Sequence, residues 1–316
     1  MAWLPRIAVL AAIVALPLVQ TNSYWIHVFG LAAIASILAM GLQLLVGQAG
    51  LLSLGQAAFY GVGAYASAIA SAAGAPFPVA FALAGLAAGI CSLLLVPVVR
   101  LTGPSLAVAT LGFGIIVHLV LLNEDWLTGG SIGLMAIARP SLAGVTLESE
   151  RSLYYLAAAV ALAVFLALGR LQHSRFGRAL QAISQDEDAA RASGLAIVRI
   201  KSKCFVVAAF TAGLAGSLYA HAEGYLSPDD FGFVKSIDIL VMVVVGGLGS
   251  LPGAVAGAVL IVVSTEFLRV SGEYRLIIIG LSVIVLMGVR RRGLAGLAEA
   301  GVAWLRARRV ALAPLR

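Results

Sequence analysis

The chain has 316 residues, of which 61% are hydrophobic and only 11% charged, with a formal net charge of +7. A water-soluble core cannot bury so much apolar surface, so lipid must be part of the solvent. Apolar stretches approaching the ~20 residues that a helix needs to cross roughly 30 Å of hydrocarbon recur along almost the whole length, which predicts an all-α, polytopic helical bundle.

In chain order, spans are expected near 7–19, 28–46, 51–71, 76–99, 104–122, 153–169, 204–222, 237–251, 253–268 and 274–289, about ten in all. The count falls to eight or nine if the short, Gly-rich segments 237–251 and 253–268 form a broken or re-entrant hairpin. The first span follows Arg6 and has the length of a signal peptide, but no small-x-small pattern precedes Gln20 and Thr21; it is read as uncleaved. This divides the chain into an N-terminal span and outer turn (1–27), a membrane domain (28–290) and a basic tail (291–316). With Arg6 inside, all lysines and arginines except Arg139, Arg151, Lys235, Arg269 and Arg275 fall on one side, including Arg100, the loop 170–203 and the tail. That side is the cytoplasm, and the positive charge reports topology rather than nucleic-acid binding. Both termini are then cytoplasmic. Cys91 and Cys204 read as buried thiols.

Between residues 41 and 63, glycines at 41, 47, 50, 55, 61 and 63 alternate with Gln43, Gln48, Ser53 and Gln56. Two readings stand: tight helix packing through small residues, or a broken helix whose Gln and Ser side chains line a polar translocation route. His118, inside a span, is read as a hydrogen-bonded helix contact rather than a proton relay.

The inner loop RLQHSRFGRALQAISQDEDAARASGLAIVRIKSK carries two short helical signals. Phe176, Leu180 and Ile183 recur at helical spacing beside Arg175 and Arg178, as in a helix lying on the membrane surface. Ser184 then begins a capping box with Glu187, and Asp186, Glu187 and Asp188 crowd the first turn of a helix running from Gln185 to Ser193, with Gly194 as its terminator. On the outer side, Ser227 caps a turn begun by Pro228 with Asp229 and Asp230 in it. Gly249, Gly253 and Gly257 form a small-x-x-x-small stripe around Pro252.

The order Asp188-Ala189-Ala190, three residues, Gly194 resembles the Glu-Ala-Ala-x-x-x-Gly loop of bacterial ABC importer permeases. Asp188 stands in place of the glutamate, and the Ile-x-Leu-Pro ending of other importer classes is absent. GLQLLVGQAGLLSLGQAAFYGVGAYASA from Gly41 and SPDDFGFVKSIDILVMVVVGGLGSLPGAVAGA from Ser227 are similar to the LivM-type permeases of branched-chain amino acid importers. The resemblance covers about residues 28–290 and implies a type II ABC importer permease. It implies that Ser184, Gln185, Asp186, Glu187, Asp188, Ala189, Ala190, Arg191, Ala192, Ser193, Gly194 and Leu195 form a coupling segment seated on an ATP-hydrolysing subunit. The implied partners are a paralogous LivH-like permease, two LivG/LivF-like ATP-binding subunits and a periplasmic or extracellular solute-binding protein, in a bacterial plasma membrane. ATP and Mg would be held by the partners and no cofactor by this chain, which would be no enzyme. Its three lysines, Lys201, Lys203 and Lys235, none preceded by glycine, fit no phosphate-binding loop. The alternative of an ion-coupled transporter or channel lacks central charges, and an intramembrane enzyme lacks a grouped nucleophile, base or metal-ligand spacing.

Overall fold

The computed structural model describes residues 22–101, 103–142 and 145–268. The spans expected at 7–19 and 274–289 and the tail 291–316 lie outside the described residues. Helix α1 (Ser23–Gln43) is capped by the Asn22 side chain, which accepts from the Tyr24 N–H, and continues into a π-helical turn over Leu44–Gln48. It is followed by α2 (Gln56–Ala72), α3 (Phe77–Cys91), α4 (Pro104–Asn123) and α5 (Glu150–Gln172). Two short helices, α6 (Arg175–Gln185) and α7 (Glu187–Ala192), precede α8 (Ile197–Glu223), α9 (Phe233–Gly246) and α10 (Leu251–Phe267). With their short extensions, α1, α3, α4, α5 and α8 are each apolar and long enough to cross a membrane. The one strand ladder among the described residues is a two-residue antiparallel pair, Ser141–Leu142 with Val145–Thr146, in the loop between α4 and α5, beside an isolated antiparallel bridge between Leu134 and Leu226.

Two boundaries differ from expectation, and the Gly-rich pair of segments takes its hairpin alternative. The span expected at 51–71 starts as a helix only at Gln56, because residues 50–55 are not helical. The helix expected at 204–222 begins seven residues earlier, at Ile197, so Arg199, Lys201 and Lys203 belong to it rather than to the loop. The segments at 237–251 and 253–268 form a hairpin of 14- and 17-residue helices joined by the turn 247–250. At 1.5 Å per residue α9 is only about 21 Å long, short of a full hydrocarbon crossing.

At the centre stands α8, packed against α1, α2 and α3. Its approach to α2 is backbone to backbone: a Cβ on Gly63 would lie 2.3 Å from the Gly213 Cα, and one on Gly213 2.4 Å from the Ala84 carbonyl of α3. No larger residue fits there, which is how small residues let membrane helices touch. The α9–α10 hairpin closes the same way, with Gly253 and Gly257 facing the Gly246 and Met242 carbonyls. Gly249 is not part of that stripe; it sits in the connecting turn at φ +87°. By contrast, α4 presents Val108, Ile115, Ile116, Leu119 and Val120 outward, a face suited to lipid. Cys204 is buried, whereas Cys91 on α3 is only half-buried.

Ser227 caps the turn Pro228–Phe231 as expected, and Asp230 adds the second half of a capping box by accepting from the Ser227 backbone N–H. Burial pushes the Asp230 carboxyl above the usual carboxylate range, opposed by the Ser227 backbone N–H that it accepts. His118 makes the helix contact expected of it, 3.1 Å from the Pro228 carbonyl.

Candidate functional site

The break after α1 organises the inner half of the molecule. Gln43, Gln48, Ser53 and Gln56 are all buried, and each is bonded to the chain around it. The Gln43 carboxamide lies against the α9–α10 turn, oriented so that its oxygen accepts from the Gly249 and Ser250 N–H groups. Gln48 donates to the Gly249 carbonyl at 3.3 Å. The Ser53 hydroxyl accepts from Gly55, and Gln56 donates to the Ala208 carbonyl of α8 at 3.2 Å.

Non-helical backbone at membrane depth requires substitutes for the lost helical bonds. Here a side chain of another helix supplies one, Thr110 of α4 accepting from the Leu54 N–H at 3.0 Å, and where the helix resumes Ser236 of α9 accepts from the Ala57 N–H in the first turn of α2 at 3.2 Å. Ala208 lies eleven residues beyond Ile197, so the break climbs to a level about 17 Å along α8. Its lower end touches the loop that carries α6 and α7. The Ser184 hydroxyl lies beside Gly50, and Gln181 donates to the Gln48 Oε1 at 2.9 Å.

In that loop, α6 is capped by Ser174 and buries Gly177, Leu180 and Ile183, so the expected apolar stripe seats it against the spans. The cap of the next helix differs from expectation. Ser184 and Gln185 belong to the last turn of α6, and the N-cap of α7 is Asp186, whose carboxylate accepts from the Asp188 and Ala189 N–H groups at 3.0 and 2.9 Å. Asp186 takes this role because its backbone is extended, at φ −155° and ψ 108°, whereas Ser184 is still helical. Such a cap contributes about 1 kcal/mol. The helix is therefore shorter than the expected Gln185–Ser193.

Its end is as expected. Gly194 has φ +81°, its N–H bonds the Arg191 carbonyl, and the Leu195 N–H bonds the Ala190 carbonyl. These two bonds make a Schellman turn, completed by apolar contact of Leu195 with the cluster Ile183, Ala190 and Ile197. Ala190 thus faces inward, while Ala189 and Ala192 face solvent together with Gln185, Asp186, Asp188 and Ser193. Arg191 reaches back to Glu187 and Asp188 at 3.4 Å, exposed pairs of small energetic worth.

Sequence reading missed the residue that holds this loop to the spans. Lys201, on the first turns of α8, is 3% exposed and pairs with Glu187 at 2.6 Å. The available signal was its place as a lysine facing the buried side of a helix whose Arg199 and Lys203 face out. Also missed was a cluster at the C-terminal end of α8, where His27 of α1 lies 3.1 Å from Glu150 of α5 and 3.3 Å from Glu223 of α8. Arg139 of the outer loop completes it at 3.0 Å from Glu150. Nothing local in the sequence joins those four positions.

The geometry is that of a multi-pass membrane protein with an outward-facing capped helix on its basic side, tied through Lys201 to α8 and through Gln181 and Gln48 to the α9–α10 turn. Comparison with known proteins agrees. The family described as branched-chain amino acid transport system / permease component matches residues 24–287. The permease protein LivM of the high-affinity branched-chain amino acid transport system is 38% identical in Salmonella typhimurium, over 82% of this chain and 67% of that protein. Its Escherichia coli K12 counterpart is 36% identical, over 91% of this chain and 73% of that protein. The LivH permease protein of the same Salmonella typhimurium system is 28% identical, over 57% of this chain and 55% of its own length. No solved structure matches the chain. The chain belongs to the family of branched-chain amino acid transport system permease components.

Proposed function

We propose that this chain forms half of the translocation pathway of an ATP-driven importer for branched-chain amino acids or a related small polar solute, with residues 184–195 as its contact to an ATP-hydrolysing subunit. The observation that carries the reading is the Lys201–Glu187 pair, which fastens an otherwise solvent-facing helix to the central span. In this reading ATP and Mg act on two partner ATPases, and closure of that pair pushes α7. The push passes to α8 through Lys201 and to the break through Gln181, Gln48 and the Ser184–Gly50 contact. Gln43, Gln48, Ser53 and Gln56 would reach the solute path when the break rearranges.

The second half of the pathway would be a paralogous permease, in keeping with the similarity to LivH. A solute-binding protein would deliver cargo to the outer face, and both termini would lie in the cytoplasm of a bacterial cell. Uptake of labelled leucine, isoleucine and valine into proteoliposomes carrying the assembled complex tests this. Accumulation is expected to require internal ATP and the binding protein, and to persist without ion gradients. Accumulation driven by a proton or sodium gradient in the absence of ATP would overturn the reading in favour of a secondary transporter.

A further inference from the structure

Beside α7, and rising along α8, lies an open groove of about 910 Å³. That is near the upper end of the roughly 300–1,000 Å³ usual for small-molecule sites. Its walls are apolar: Leu93 and Val96 at the end of α3, Leu171 and Phe176 on either side of the α5–α6 turn, and Val206 and Val207 on α8. Its charged lining is Arg191, Arg199 and Lys203, with no carboxylate. Arg191 is engaged by Glu187 and Asp188. Arg199 and Lys203 are exposed, four residues apart on one face of α8, and without a carboxylate partner among the described residues. The Ser202 hydroxyl, buried and without a hydrogen-bond partner, also lines the groove.

The dimensions suit one occupant. From Ile197 to Val207 is ten residues, about 15 Å of helix, which is half of the roughly 30 Å hydrocarbon thickness. The groove is as long as one leaflet is thick, with Arg191 and Arg199 at its α7 end and Lys203 partway along, whose long side chain can reach back to the headgroup level. A water-soluble partner approaching α7 from below meets Arg191 and Arg199 first, with Val206 and Val207 seven and eight residues beyond Arg199 on α8. An acyl chain meets those walls, and an anionic phosphate meets the cations.

We infer that this groove binds an anionic phospholipid of the inner leaflet, its phosphate between Arg199 and Lys203 and an acyl chain against Val206 and Val207. The inference rests on the membrane embedding of α8 and not on the coupling role of α7. Lipid seated there fills the space between α3, the α5–α6 turn and α8 directly beside the loop.

The test is native mass spectrometry of the full-length protein with its partner subunits, released from vesicles of phosphatidylcholine containing a minor fraction of phosphatidylglycerol. The wild type is expected to retain phosphatidylglycerol in preference to phosphatidylcholine. The surface double variant Arg199→Gln/Lys203→Gln should lose that preference by on the order of tenfold or more, since each basic residue near an anionic surface contributes severalfold. Val207→Trp, which fills the groove and leaves both cations, should lower retention too. Arg100→Gln, on the same side but outside the groove, should not. Wild-type retention by the double variant would overturn the proposal, as would equal loss in Arg100→Gln. So would a Leu93→Cys thiol that crosslinks to a partner subunit and is shielded from a lipid-soluble maleimide.

Discussion

Glu187→Gln is expected to lower binding-protein-stimulated ATP hydrolysis and solute uptake by more than tenfold and to destabilise the loop. The reason is the burial asymmetry of its ion pair: the Lys201 side chain is 3% exposed and that of Glu187 28%. Removing the carboxylate strands an ammonium among α8 side chains. Removing one partner of a buried pair costs about 3–5 kcal/mol, and the lower end applies because Glu187 keeps contact with water. Lys201→Met makes the opposite cut. It retains the aliphatic stem and releases Glu187 toward solvent, so about 1 kcal/mol or less of stability should be lost. The mechanical tie is nonetheless gone, and uptake should fall as far as in Glu187→Gln. The double variant Glu187→Gln/Lys201→Met should regain the stability of Lys201→Met without regaining uptake. Thermal unfolding of the solubilised chain, beside hydrolysis and uptake by the reconstituted complex, separates the two effects. Wild-type uptake in Lys201→Met would show that the pair is a packing detail.

Gly194→Val should impair coupling while leaving the protein inserted and assembled. The backbone at 194 has φ +81°, a region where a β-branched residue is strained by on the order of 1 kcal/mol or more. A Cβ added there would meet nothing within 4 Å, so the whole effect is conformational rather than a clash. Relieving the strain means undoing the Schellman turn, which moves Leu195 out of its contact with Ile183, Ala190 and Ile197 and changes the angle between α7 and α8. Gly194→Asn is the discriminating control, because asparagine tolerates the left-handed region. Stimulated hydrolysis and uptake are expected to fall severalfold or more for valine and to stay near wild type for asparagine. Equal activity of the two variants would remove the geometric role of this glycine.

What could be read from the chain alone followed the range of the forces involved. The spans and their charge asymmetry are sums over twenty or more residues, and the helix start at Pro104 and the terminator at Gly194 are set by neighbours only a few positions away. The cap of α7 was misplaced because Ser184 and Asp186 are both good capping residues two positions apart. The choice between them depends on where α6 stops, which is fixed by Leu180 and Ile183 packing against other helices. The break at 50–55 was visible as a density of glycine, but its extent was not, since Thr110, which satisfies the Leu54 N–H, and Ser236, which satisfies the Ala57 N–H at the start of α2, lie 56 and 179 residues away. The four polar residues at 43, 48, 53 and 56 were recognisable as a group. The partners of three of them were not, because Gln43 and Gln48 bond the 247–250 turn and Gln56 the Ala208 carbonyl of α8, all some 150 or more residues away. Lys201 was counted as a topological charge, and only the fold turns it inward to Glu187.

Disulfide or short bifunctional crosslinking from single cysteines in α7, in the assembled and active complex with the two native cysteines replaced, tests the central claim most directly. Ala189 and Ala192 face solvent, and Ala190, 5% exposed, faces the loop's own apolar cluster. Ala189→Cys and Ala192→Cys are expected to capture an ATP-hydrolysing subunit, with a yield that changes on ATP binding, and Ala190→Cys to capture none. An active complex in which neither outward position captures that subunit would contradict the account.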